Sequence, residues 1–147
     1  MTATPGPAAT GGSSTAGGGG SPTPTADGFT APTDVRVALD CQNIDKSNMV
    51  IQLGNMKSTF QVACNTDYSG KIDILAVTVY SIQDCLKACA SYNRNSNSTN
   101  CAAVSFGANL TAVVPANFGN CFLKTGTGTS YTNKDASHVG ATLVASK

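Results

Sequence analysis

The residues in this chain best equipped for chemistry are its six cysteines: Cys41, Cys64, Cys85, Cys89, Cys101 and Cys121. Thiolates bind zinc, run redox chemistry, or pair as disulfides. A structural zinc site wants closely paired knuckles, often with histidine. The spacings here are wide, and the single histidine, His138, is far from them in sequence. A redox site wants C-x-x-C or a lone activated thiol, whereas the tight pair here is C-x-x-x-C and the count is even. A disulfide framework is what remains. The other reactive groups are scattered. His138 lacks an orienting carboxylate, because Asp135, though near in sequence, would have its face separated from that of His138 by a strand conformation. The chain contains no G-x-S-x-G, H-E-x-x-H or G-x-G-x-x-G motif, no aspartate pair set for glycoside hydrolysis and no calcium loop. The sequence therefore assigns no catalytic residue, no metal ligand and no cofactor.

The elements that must hold the cysteines follow from their spacing. Ser81 to Tyr92 reads SIQDCLKACASY. Ser81 is a natural N-cap, and Asp84 three residues on makes a variant of the capping box and suits the positive end of the helix dipole. Ile82, Cys85, Leu86, Cys89 and Ala90 recur at helical spacing and form one apolar stripe. Cys85 and Cys89 then sit one turn apart with nearly parallel side chains. They are poorly placed to bond each other, so each looks across to a sheet. Cys89 meets Cys101 after a short return loop, and Cys85, one turn earlier, meets Cys121. Cys41 and Cys64 remain and would pin an N-terminal arm to the first strand.

The strands are read from alternation. Val35, Val37 and Leu39 give a weak signal, followed by a polar loop from Gln42 to Asn48. Met49–Leu53 is a short strand, Gly54-Asn55 a turn, and Thr59–Cys64 a half-buried strand with Phe60, Val62 and Cys64 on one face. Asn65–Gly70 reads as a turn cluster. The second half of Ile72–Tyr80 reads as a strand entering the helix, which ends in the Asn/Ser-rich run from Asn93 to Asn100. Cys101–Phe106 and Asn120–Lys124 are further strands. Gly107–Gly119 and Thr125–Asp135 read as loops. His138–Val144 closes the sheet, with Val139, Ala141 and Leu143 toward the core.

The totals set the class. At 147 residues there is room for one ordinary domain. Residues 1–34 are expected to be a disordered linker or stalk, since Thr2 to Ala26 contains only Ala, Gly, Pro, Ser and Thr and cannot bury enough surface to offset chain entropy. Residues 35–147 are the expected domain. Nine Lys and Arg stand against eight aspartates and no glutamate, a net charge of +1. That is no basic patch for nucleic acid and no polybasic anchor for a membrane surface. The apolar runs are far short of the roughly 20 residues a spanning helix needs, and no signal peptide opens the chain. Disulfides nevertheless need an oxidising compartment. The expectation is a piece of an extracellular or cell-surface protein whose signal or anchor lies elsewhere, with Met1 an artificial or misassigned start or an internal cut.

Taken together the motifs resemble a family. F-x-V-x-C at Phe60 to Cys64, D-x-x-G at Asp67 to Gly70, D-C-L-x-x-C-A at Asp84 to Ala90, C-x-x-V-S-F at Cys101 to Phe106 and N-C-F-L-K at Asn120 to Lys124 are similar to a PAN/Apple domain. The likeness covers about Cys41 to Val144 and is strongest to apple-like modules of fungal surface and secreted proteins. It implies an α+β fold, a small antiparallel sheet with one helix packed on it, and a helix tied to central strands by two disulfides. It also implies non-catalytic recognition of carbohydrate or protein, on a Ser/Thr-rich stalk in the fungal members. It supplies no fixed set of ligand residues, and the accessory Cys41–Cys64 pair is the variable one.

Two sequons, Asn97-Ser98-Thr99 and Asn109-Leu110-Thr111, make Asn97 and Asn109 glycosylation candidates. For ligand binding, an aromatic face beside amides or acids is the pattern to seek. Tyr68, Phe118 and Tyr131 lie in expected loops near Asn65, Asp67, Asn117 and Asn133. The competing reading makes Phe118 core and leaves the tyrosines capping a sheet edge. The expected function is presentation of the loops Gly107–Gly119 and Thr125–Asp135 to a glycan or protein. The alternative is a structural spacer without a ligand.

Overall fold

The computed structural model describes residues 24–25, 28–132 and 137–147, divided into two compact units. In the first, Met1–Pro32, an antiparallel ladder pairs Pro24–Thr25 (β1) with Gly28–Phe29 (β2). The rest of the expected stalk, residues 1–23 and 26–27, lies outside the described residues, as does 133–136.

The second unit, Thr33–Lys147, runs α1 (Cys41–Ile44), β3 (Asn48–Leu53), β4 (Met56–Cys64), β5 (Thr66–Ser69), β6 (Asp73–Val77), α2 (Ile82–Ser96), β7 (Ala103–Gly107), α3 (Leu110–Asn117), β8 (Cys121–Lys124), β9 (Thr129–Thr132) and β10 (His138–Ser146). Six strands form one antiparallel sheet in the order β3-β4-β10-β7-β8-β6, and β5 pairs with β9 as a separate ribbon. The fold is α+β, with α2 packed on one face of the larger sheet and fixed there by disulfides.

Helix α2 begins where the sequence marks it. Ser81 is extended and its Oγ accepts the Asp84 N–H at 3.1 Å. Ile82, Cys85, Leu86, Cys89 and Ala90 are all buried. The register of the strands collects their partners on one side of the sheet: Val104 opposes Leu123, Phe106 opposes Cys121, and Val139 opposes both Phe106 and Cys64. Phe60, Val62, Val104, Phe106, Leu123, Val139 and Ala141 are all 1% exposed or less. Each large side chain so removed from water contributes about 1.5–3 kcal/mol.

Three disulfides close this core: Cys85–Cys121, Cys89–Cys101 and Cys41–Cys64, with Cα separations of 5.5, 5.6 and 6.1 Å. Two of them leave one face of α2 one turn apart. Cys85 reaches Cys121, the first residue of β8, and Cys89 reaches Cys101, two residues before β7.

Several local expectations are corrected. Val35–Leu39 makes a single bridge, Arg36 to Asn109, rather than a strand. The polar stretch after Leu39 contains the one-turn helix α1. Asn65–Gly70 is not a turn cluster, because Thr66–Ser69 pairs with Thr129–Thr132, which lies inside an expected loop. In Ile72–Tyr80 it is the first half, β6, that forms the strand. The Gly107–Gly119 loop contains α3, which carries Pro115 inside it. Helix α2 continues past Asn93 to Ser96 and stops at Asn97, whose φ of 50° is left-handed. Asn93 is buried because its Oδ1 accepts the Cys101 N–H at 2.8 Å and its Nδ2 donates to the Cys101 carbonyl at 2.9 Å. A residue that reads as a helix stop is a clamp on the following strand. The last strand, expected over His138–Val144, runs from His138 to Ser146 and lies between β4 and β7 near the centre of the sheet.

The chain-entropy model assigns about 3–4 kcal/mol to each disulfide. Replacing Cys85 and Cys121 together by alanine should lower unfolding free energy by that amount or more, read as a lower denaturant midpoint with a steeper slope, because the unfolded chain loses a cross-link. A midpoint equal to the parent's would mean that the helix holds its place without the bond.

Candidate functional site

Strand alternation sends a second set of side chains to the face opposite α2. Phe122 and Lys124 alternate with Cys121 and Leu123 on β8. Ser105 and Gly107 alternate with Val104 and Phe106 on β7, and His138 and Gly140 alternate with Val139 on β10. Around Ser105, Gly107 and Gly140 this face is made of small residues, and two other elements come down on it there.

The β5–β9 ribbon covers one side. Tyr68 lies over Gly140 so closely that a Cβ on that glycine would fall 2.7 Å from the ring. The Tyr68 N–H donates to Ser105 Oγ at 3.2 Å and to Asp67 Oδ1 at 2.8 Å. Helix α3 covers another side, where a Cβ on Gly107 would fall 2.9 Å from Val113. Asn120, fully buried, locks the adjoining turn. Its Oδ1 accepts the Val79 N–H at 2.8 Å, and its Nδ2 donates to the carbonyls of Val79 and Gly107 at 2.9 Å.

Between ribbon and helix a groove of about 420 Å³ remains, inside the usual size range of small-ligand sites, about 300–1,000 Å³. Phe122, Lys124 and His138 come from the sheet, Asp67 and Tyr68 from the ribbon, and Asn117 from α3. Lys124 is its most unusual member, at 4% exposure. Its ammonium ion-pairs with Asp73, directly opposite on β6, and lies 5.8 Å from the centre of the Phe122 ring. A buried ammonium is costly unless paired, and here the pair is open on one side, since the Asp73 side chain is 57% exposed. A second hollow, about 450 Å³ along Arg36 to Leu39, has among the described residues only the exposed Arg36 as a charged side chain on its wall.

The structure separates the three aromatic candidates. Tyr68 is core, 6% exposed, and lends the groove a wall rather than a free face. Phe118, core in the competing reading, is 87% exposed, at the left-handed C-terminal cap of α3 with φ 61°. A bulky residue in that conformation carries strain that asparagine or glycine would avoid. Tyr131 is half-exposed, and its hydroxyl donates to Asp67 Oδ2 at 3.0 Å. Of their sequence neighbours, Asp67 and Asn117 reach the groove, Asn65 lies outside its wall and Asn133 outside the described residues. Lys124, Asp73 and Phe122 were not marked by sequence reasoning. The one available signal was a lysine ending an apolar strand, at a position that alternation assigns to the same face as Phe122.

Comparison with family models matches residues 56–144, more than half of the chain, to the PAN domain. The chain belongs to the PAN domain family. This family consists of non-catalytic modules that bind protein or carbohydrate. Comparison with curated protein sequences finds no match. The match begins at β4 and ends within β10, so it spans α2, both of its disulfide partners and the whole groove of this PAN domain. Among the described residues no cluster of side chains is suited to a metal ion, and no helix is long and apolar enough to cross a membrane.

The ribbon is also visible to titration. The Tyr131 phenol is raised above its ordinary value of 10.0, first by its hydrogen bond to Asp67, then by that carboxylate's charge, then by partial burial. Burial raises Tyr68. Both neutral phenols therefore favour the folded state below about pH 10, and that contribution is lost as pH rises through the raised folded values. Replacing Asp67 by asparagine should bring Tyr131 back toward 10.0 in a phenolate-absorbance titration; an unmoved titration would detach the shift from Asp67.

Proposed function

We propose that this PAN domain is an extracellular recognition module whose binding surface is the groove between α3 and the β5–β9 ribbon, and that its ligand is a glycan or a protein. The observation that carries the reading is Lys124. A lysine this buried is held beside an open carboxylate in a concave site, whereas a spacer needs only a sealed sheet face. A rigid wall supports it on each side. Tyr68 is fixed over Gly140, and Val113 over Gly107, so ligand binding would cost little reordering of the site. The aromatic at the cap of α3, Phe118, follows Asn117 of the groove wall directly and extends the surface outward. The three disulfides suit an oxidising compartment, which supports the extracellular assignment.

The test is retention of the oxidised protein on insoluble chitin, β-glucan and cellulose, with reduced and alkylated protein as control. Retention of the oxidised form alone, reduced about tenfold or more by Lys124→Met, is the expected result for a glycan ligand, because hydrogen bonds to charged groups are among the stronger ones. Undiminished retention of the lysine variant would move the site away from the groove. Absence of retention by any form would direct the search to protein partners or to the spacer role.

The two sequons differ in setting. Asn97 is exposed at the C-terminal cap of α2, on the side of the sheet away from the groove. Asn109 is half-buried at the start of α3, and the hydroxyl of Thr111 in its sequon donates to the Thr33 carbonyl at 3.2 Å. A glycan on Asn97 leaves the binding face clear. Secretion from a eukaryotic host should yield protein carrying N-glycan mass that Asn97→Gln removes; full glycan mass retained in that variant would place the sugar at Asn109.

A further inference from the structure

We infer that the groove takes a neutral sugar, whose adjacent hydroxyls bridge the Asp73 carboxylate and the Lys124 ammonium; this rests on the groove being the binding surface. The charge arrangement selects the class. Asp67 is already spent, with one oxygen accepting the Tyr68 N–H and the other the Tyr131 hydroxyl. Asp73 and Lys124 neutralise each other. An anionic ligand would meet two carboxylates for one ammonium, and a cationic ligand would find both carboxylates already holding donors, Asp73 the Lys124 ammonium and Asp67 the Tyr68 N–H and the Tyr131 hydroxyl. A polyol meets neither obstacle, since each hydroxyl both donates and accepts.

The unspent hydrogen-bonding capacity matches that chemistry. An ammonium has three N–H donors, and Lys124 gives one to Asp73, which keeps its second oxygen for an incoming O–H. Asn117 commits its Nδ2 to the Val113 carbonyl at 2.9 Å and keeps Oδ1 as an acceptor. His138 has Nδ1 within 3.4 Å of Ser137 Oγ and keeps Nε2. The groove therefore offers both donors and acceptors together with an apolar ring, Phe122, that can take the C–H face of a pyranose. The ion pair orients both partners before the sugar arrives, so two charge-assisted hydrogen bonds form with little loss of side-chain freedom.

The experiment is a titration of the isotope-labelled, oxidised full chain, read by backbone amide shifts. The probes are neutral oligosaccharides of glucose, mannose and N-acetylglucosamine, with oligogalacturonate as the acidic counterpart. At least one neutral oligosaccharide should move the amides of Asp73, Phe122 and Lys124, while oligogalacturonate should not. Asp73→Asn and Lys124→Met should each weaken that binding by about tenfold or more, and Asn117→Ala gives a third reading should a variant at the ion pair lose its fold. Preference for oligogalacturonate would overturn the neutral class and keep the groove. Neutral sugar that moves other amides, with affinity untouched by all three variants, would overturn the groove itself. No shift with any saccharide would overturn the sugar assignment and leave the groove to a protein ligand.

Discussion

Two covalent bonds from one face of one helix set the geometry of this PAN domain. Cys85 and Cys89 stand one turn apart on α2 and bond to Cys121 and Cys101. Two anchors fix both the position and the direction of a helix, where one would leave it free to swing. Arg94, near the far end of α2, adds a long hydrogen bond of 3.4 Å to the Leu53 carbonyl at the β3–β4 turn. With α2 held, the sheet face beneath it becomes the core, and the strands that pair through Val104, Phe106, Val139 and Leu123 have one register that keeps their apolar side chains covered.

That arrangement poses a problem on the other face. The sheet has one long helix, so its second side must be closed by other means. A two-stranded ribbon and a two-turn helix do this in part. They can approach because Ser105, Gly107 and Gly140 present little or no side chain. Any Cβ at Gly140 would strike the Tyr68 ring, and one at Gly107 would strike Val113. Closure stops short beside Phe122 and Asp73, and the groove is the gap left between the two elements, with the buried Lys124 on its wall. Its polar character follows, since a charged residue at that position needs a partner and an outlet to water. Asp73 across the strand pair supplies both.

Rigidity on one face and an open, pre-set groove on the other is an arrangement suited to recognition without catalysis. The groove's charged groups are committed to one another or to neighbouring phenol and backbone groups, which orients them for hydrogen bonding. The exposed Phe118 and the half-exposed Tyr131 lie at residues adjoining or bonded to groove residues, so a larger ligand would meet an aromatic rim beyond a polar centre.

The amino-acid sequence by itself determined α2, its cap, its buried stripe, the alternating strands β4, β7 and β8, and hence the α+β class. These are short-range properties: helical and strand periodicity, one capping hydroxyl, and cysteine spacing that forces each thiol to look outward from a helix. Only the tertiary structure decided the groove. The polar ribbon β5–β9 has no apolar alternation and exists because Thr66–Ser69 finds Thr129–Thr132 some sixty residues later. Helix α3 was hidden by Pro115 and by its brevity, and is held by Leu110 and Val113 packing inward. Asn93 reads as a helix stop and Asn120 as the start of a strand, yet each satisfies backbone groups of a distant segment from a buried position. Tyr68 and Phe118 exchanged the roles that local context suggested, because burial is decided by which surface arrives from elsewhere in the chain, and no window of neighbouring residues contains that information.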